Sequence, residues 1–149
     1  MSSLTLRFLA PPNPLGPDGH ASGGAVMGWI DEAAQACAMR WAKGRCVSVA
    51  VGSMRFARPV VAGALVEVEA RLASTGRSSM NLSVEVRSGD PRAGAMHAVT
   101  ECLVVFAALD AQGQATPVAP WRPETPGDVA LAQRVQAYLD GERQRQGRA

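Results

Sequence analysis

Polar and apolar residues alternate with a period of two through most of the chain between Cys46 and Leu109, the pattern of strands that bury one face. Val47, Val49 and Val51 alternate with Ser48 and Ala50. The phase breaks at Gly52-Ser53 before Met54 and Phe56, which predicts a bulge in a strand that continues to Pro59. Val66, Val68, Ala70 and Leu72 interleave with Glu67, Glu69 and Arg71, and Met80, Leu82, Val84 and Val86 interleave with Asn81, Ser83 and Glu85. The short turn at Ser74-Thr75-Gly76-Arg77 joins these two strands as a hairpin. After a loop from Gly89 to Gly94, the run from His97 to Leu109 is apolar on both faces over Cys102 to Ala108, as a strand inside a sheet is.

One long segment has the helical period instead. Between Ala25 and Lys43, the residues Val26, Met27, Trp29, Ile30, Ala33, Ala34, Cys37, Ala38, Met39 and Trp41 occupy most directions of a 3.6-residue repeat, which predicts a helix buried almost all round. Gly44, after Arg40 and Lys43, is the expected glycine past its last turn. Ahead of the helix, Leu4 to Leu9 reads as an edge strand that stops before Pro11, Pro12 and Pro14, and Gly16 to Gly24 is a polar loop with four glycines. Near the end of the chain, Thr125-Pro126-Gly127-Asp128 is a helix start, and Leu131, Val135, Tyr138 and Leu139 recur at helical spacing. The charged stretch from Glu142 to Ala149 is expected to fray. The order is therefore strand, loop, helix, four antiparallel strands, helix. A sheet curled around one long apolar helix buries both with few residues, so the fold class is α+β, a single hotdog domain over 1–117, followed over 118–149 by a Pro-rich linker and a C-terminal amphipathic helix. Exposed sheet edges imply that copies of the chain cover one another.

Composition narrows the function. With 149 residues, 47% of them hydrophobic and 19% charged, the chain suits one globular domain. Fifteen Lys and Arg against thirteen Asp and Glu leave a net charge of +2, too small a surplus for a nucleic-acid binder. The most apolar stretch, Ala25 to Ala42, is broken by Asp31, Glu32, Gln35 and Arg40, so no membrane span is expected. The N-terminus has no basic region followed by an apolar one, and the expected location is the cytoplasm. Cys37, Cys46 and Cys102 form no Cys-x-x-Cys pattern; reduced, buried thiols are expected, and neither a zinc site nor a disulfide framework.

The chemistry concentrates at the helix entrance. Gly23-Gly24 opens the helix, where unpaired amides and the positive end of the dipole suit a carbonyl oxygen or an oxyanion. Asp31 shares a helical face with Gly24, Met27, Gln35, Ala38 and Ala42. Periodicity alone does not choose between Asp31 as a catalytic carboxylate and Glu32, and either acid equally serves to compensate the dipole. His20, in the glycine loop, is a candidate general base or substrate-binding group, or simply a solvated loop histidine. Ser22 is placed to cap the helix, and His97 is structural or exposed. Arg55, Arg58 and Arg77, near strand ends and a hairpin turn, are candidate phosphate contacts or solvated surface charges.

The run Asp18-Gly19-His20-Ala21-Ser22-Gly23-Gly24-Ala25-Val26-Met27-Gly28-Trp29-Ile30-Asp31-Glu32 resembles the glycine-glycine-x-x-methionine-x-x-x-aspartate signature of hotdog acyl-CoA thioesterases of the YciA and brain acyl-CoA hydrolase type. Val47 to Pro59 resembles the family's second strand, and Gly76-Arg77-Ser78-Ser79 its hairpin. The resemblance covers about Leu4 to Pro117 and implies hydrolysis of acyl-CoA to a free acid and CoA, without metal or cofactor. It makes Asp31 the catalytic base or nucleophile, gives Gly23 and Gly24 the thioester oxygen, and keeps His20 as a further active-loop residue. It gives Ser22, Met27, Phe56, Arg58, Gly76, Arg77 and Ser78 to the acyl and CoA parts of the substrate. Relatives carry Asn or Asp where His20 stands, and an aromatic residue or His where Ser22 stands. The resemblance further implies a site built across a homodimer, alone or in a trimer of dimers. The competing readings are a hotdog enoyl-thioester hydratase and a non-catalytic acyl-CoA-binding protein.

Overall fold

The computed structural model describes residues 2–12, 19–52 and 54–147. It contains β1 (Ser3–Leu9), α1 (Gly23–Ala42), β2 (Arg45–Gly52), β3 (Leu65–Thr75), β4 (Ser79–Gly89), β5 (His97–Leu109) and α2 (Pro126–Gly147). The five strands form one antiparallel sheet in the order β1-β3-β4-β5-β2. The fold is the expected α+β hotdog arrangement, with β5 in the sheet interior and β1 and β2 at its edges.

The inner face of the sheet carries Val66, Val68, Ala70 and Leu72 from β3, Leu82, Val84 and Val86 from β4, and Cys102, Val104, Phe106 and Ala108 from β5, all buried against α1. The buried face of α1 is Val26, Ile30, Ala33, Ala34, Cys37 and Ala38. Four of these six are small, which lets the helix axis lie close to the sheet while Ile30 and Phe106 fill the remaining space. Phe8 of β1 meets Trp29 of α1 edge to face, with ring centroids 5.0 Å apart.

On the outer face α2 packs through Leu131 and Val135 against Ala73 and Leu103. Its start follows from the sequence: the Thr125 hydroxyl accepts from the Asp128 amide at 3.0 Å, and the Asp128 carboxylate accepts from the amides of Glu124 and Thr125. The preceding linker is tied down. Trp121 is buried, its amide donates to Thr75 Oγ1, the Val118 amide donates to the Arg77 carbonyl, and Trp41 Nε1 donates to the Ala119 carbonyl at 2.8 Å.

Three local expectations are corrected. Helix α1 is not buried all round: Gly24, Gly28, Asp31, Glu32, Gln35 and Met39 are exposed on the side away from the sheet. Its left-handed terminal residue is Lys43, at φ 57°, whose amide donates to the Met39 carbonyl, so that Gly44 is not needed for that conformation. Strand β2 stops at Gly52 rather than reaching Pro59, and its register shift falls between Ser48 and Ala50. Beyond it, residues 54–59 run beside β5 on two bonds, Thr100 Oγ1 to the Arg55 carbonyl at 2.6 Å and the Ala57 amide to the Val99 carbonyl at 2.7 Å.

Candidate functional site

Ser22 is the N-cap of α1 in extended conformation, and its hydroxyl accepts from the Ala25 amide at 3.1 Å. The Val26 amide donates to the Ser22 carbonyl at 3.2 Å. The cap thus uses the third and fourth amides of the helix; those of Gly23 and Gly24 have no partner among the described residues. Both glycines are exposed, so two amides at the positive end of a 20-residue helix face outward, the geometry that receives a developing negative charge on oxygen.

The entrance is fixed by backbone rather than by side chains. The Ala21 amide donates to the Val60 carbonyl at 2.8 Å, and His20 forms an isolated antiparallel bridge with Val61. Two residues further along, the Gly63 amide and the Ala64 carbonyl hold Ala10. His20 is half-buried beside the helix start. Asp18, the first residue of the signature, lies outside the described residues.

Asp31 is exposed, on the same open face of α1 as Gly24, Gly28 and Gln35, with half-buried Met27 one turn before it. Among the described residues no side chain is hydrogen-bonded to it. Gly24 and Asp31 are seven residues apart, about 10 Å along the helix axis, and helical N–H groups point toward the N-terminus, away from Asp31. An oxygen held about 3 Å beyond those amides is therefore more than about 10 Å from the Asp31 backbone. The Asp31 side chain cannot span that gap to reach the same thioester.

The other candidates divide between the two ends of the sheet. Phe56 and Arg58 are exposed on the segment after β2, at the end that holds the glycine loop. Gly76, Arg77 and Ser78 form the turn between β3 and β4 at the opposite end, where the Ser78 carbonyl accepts from the Ala108 amide. A side chain at Gly76 would meet the Ser79 hydroxyl, which would have to rotate away to admit it. An 11-residue strand separates the two groups, roughly 35 Å. Within one chain the structure brings His20, Ser22, Gly23 and Gly24 together and leaves Asp31 and the Arg77 turn apart from them.

Strand β2 forms an edge of the sheet with no further strand beside it among the described residues. In β2, Val47, Val49 and Val51 are 43%, 58% and 48% exposed. A cavity of about 380 Å³ opens between the Pro59–Ala64 segment and the end of β4, and His97, bonded to Ser88 Oγ at 3.4 Å, lines it. The three cysteines stand away from this chemistry. Burial raises the thiols of Cys37 and Cys102 to about 11, and that of half-buried Cys46 is raised for the same reason. Among the described residues no group of three His, Cys, Asp or Glu side chains is placed to hold a metal ion, and no helix is long and apolar enough to cross a membrane.

A protein-family model described as the thioesterase superfamily matches residues 18–95. The acyl-CoA thioester hydrolase YciA of Salmonella typhimurium is 33% identical over 118 residues, which are 77% of this chain and 89% of that protein. Among solved structures, an apo-hexameric acyl-CoA thioesterase is similar with a TM-score of 0.91 at 28% identity, covering 97% of this chain and 92% of that one. A hexameric thioesterase from Yersinia pestis is similar with a TM-score of 0.72 at 32% identity, covering 76% of this chain and 93% of that one.

Proposed function

This chain belongs to the thioesterase superfamily, and we infer from that membership and from the site's geometry that it is an acyl-CoA thioester hydrolase whose active site is completed by a second copy of itself. It hydrolyses acyl-CoA to a carboxylic acid and CoA. The observation that carries the shared site is the separation within one chain: the amides of Gly23 and Gly24 point away from an Asp31 seven residues further along the helix. Antiparallel pairing of β2 with the β2 of another copy supplies the missing group. It covers the exposed valines of an open edge, and its two-fold axis brings the loop end of one sheet toward the hairpin end of the other. Arg77 and Ser78 of one copy then serve the same substrate as His20, Phe56 and Arg58 of its partner. The hexameric state of the similar structures supports an assembly of such dimers.

In this reading the thioester oxygen lies on the Gly23 and Gly24 amides, which strengthen their hold as it becomes an oxyanion. Asp31 of the partner takes a proton from water as that water attacks the thioester carbon. Collapse of the adduct breaks the carbon–sulfur bond, and the protonated Asp31 returns its proton to the leaving thiolate, giving the CoA thiol and restoring the carboxylate. Ser22 acts through its cap, which holds the two free amides in place. Met27 borders the acyl group, His20 orients water or the carbonyl, and the turn at Gly76 presents Arg77 and Ser78. Phe56, Arg58, Arg77 and Ser78 hold the CoA portion, with the arginines on its phosphates. CoA enters and leaves as part of substrate and product, and the steps draw on no further cofactor.

Thiol release from acetyl-, butyryl-, benzoyl-, decanoyl- and palmitoyl-CoA tests the activity and reveals the acyl preference. Release from at least one is the expected result. Tight binding of all with release from none would contradict it. Single-turnover hydrolysis in ¹⁸O-water tests the base: label in the product acid is expected, whereas label in Asp31 would make it a nucleophile.

A further inference from the structure

Helix α2 crosses the outer face of the sheet from strand to strand. Asp128 near its start pairs with Arg71 of β3 at 3.2 Å, Arg134 pairs with Glu101 of β5 at 3.2 Å, and Tyr138 lies on Gly52 of β2. Ten residues of helix rise about 15 Å, matching the three steps of about 4.8 Å from β3 through β4 and β5 to β2. Tyr138 therefore arrives over the edge strand because of where the helix is anchored, and Gly52 is the residue that makes room: a Cβ there would overlap the Tyr138 hydroxyl and press on its ring.

Gly52 is the last residue of β2. Residues 54–59 are then held to β5 by the two bonds at Arg55 and Ala57. That segment carries Phe56 and Arg58. We propose that Tyr138, seated on Gly52, is a positioning residue for substrate binding: it fixes the end of β2, which leads into the CoA-binding segment 54–59. The proposal rests on the reading of residues 56 and 58 as CoA contacts. A cavity of about 180 Å³ lies beside the contact, between α2 and β4–β5, lined in part by Ser83, Leu103, Arg134 and Tyr138 itself. It gives the ring a place to go when it is displaced.

The test compares Tyr138→Ala, Tyr138→Phe, Gly52→Ala and Arg58→Ala in steady-state hydrolysis of whichever acyl-CoA the wild type cleaves best, with assembly mass and Tm measured alongside. Tyr138→Ala is expected to raise KM about tenfold with kcat within about twofold, the signature of lost binding rather than lost chemistry. Tyr138→Phe keeps the ring on Gly52 and should restore wild-type KM. Gly52→Ala removes no atom, displaces the ring into the cavity, and should raise KM in the same way; it carries the test if Tyr138→Ala does not fold. A KM raised by Arg58→Ala but unmoved by both Tyr138→Ala and Gly52→Ala overturns the positioning role. A KM unmoved by Arg58→Ala overturns the CoA-binding reading of the segment, and the proposal falls with it.

Discussion

Ile30 and Asp31 are consecutive residues of α1 on either side of the line that divides its buried face from its open one: Ile30 is 1% exposed against the sheet, and Asp31 is exposed. The first therefore reports stability, and the second is free to serve the proposed chemistry. Ile30→Ala should cost about 2–5 kcal/mol, the range for truncating a fully buried aliphatic side chain. Measured by urea unfolding at 25 °C, it should lower the midpoint while kcat at that temperature, in the folded enzyme, stays near the wild-type value.

The edge of β2 should be where copies join. Val49 is 58% exposed on that strand, and Val49→Lys places a charge where another strand would pair. Analytical ultracentrifugation should show the assembly shifted toward monomer, and the proposed two-copy site predicts that thiol release falls in step. Full activity in a monomeric variant would refute the shared site.

The anchor of α2 should respond to acid. The carboxyl of Asp128 is held below its ordinary value of 3.8, first by the amide of Glu124 and further by the Thr125 amide and Arg71. A lowered folded-state value means that its bonds add stability above about pH 4 and that this is lost as pH falls through the lowered value. The Tm of the wild type should fall between about pH 5 and pH 3 more steeply than that of Asp128→Asn, which has no charge there to lose. Parallel curves would remove Asp128 as the acid-sensitive anchor.

Thiol chemistry should be quiet. With Cys37 and Cys102 raised to about 11 by burial, almost none of either is thiolate at pH 8. Titration with an aromatic disulfide should find these two unreactive in the folded protein and reactive in guanidinium, with slow modification confined to Cys46. Rapid labelling of Cys102 in native protein would contradict its burial.

Much of this fold was legible in the residues. Alternation located β3, β4 and β5, the Thr125 to Asp128 cap located α2, and the glycine and aspartate spacing singled out the helix entrance. What escaped has physical reasons. The open face of α1 includes Gly24, Gly28 and Met39 beside its polar residues, and small or apolar residues look alike in sequence whether their own chain covers them or leaves them open. Lys43 adopts the left-handed conformation although glycine follows it, since one residue of that kind is a small strain when its amide is bonded. The contact of Tyr138 with Gly52 joins residues far apart in the chain, and no local pattern announces it. The placing of Arg77 and His20 at opposite ends of the sheet follows only from the pairing of whole strands.

The proposed chemistry turns on the Asp31 carboxylate, and its most direct measurement is thiol release by Asp31→Asn beside Glu32→Gln and wild type at saturating acyl-CoA. Asp31→Asn should keep its assembly, its Tm and its CoA affinity and lose about 10²-fold or more in kcat, the scale of a removed base, while Glu32→Gln stays near wild type. Wild-type turnover in Asp31→Asn, or the loss appearing in Glu32→Gln instead, would contradict the account.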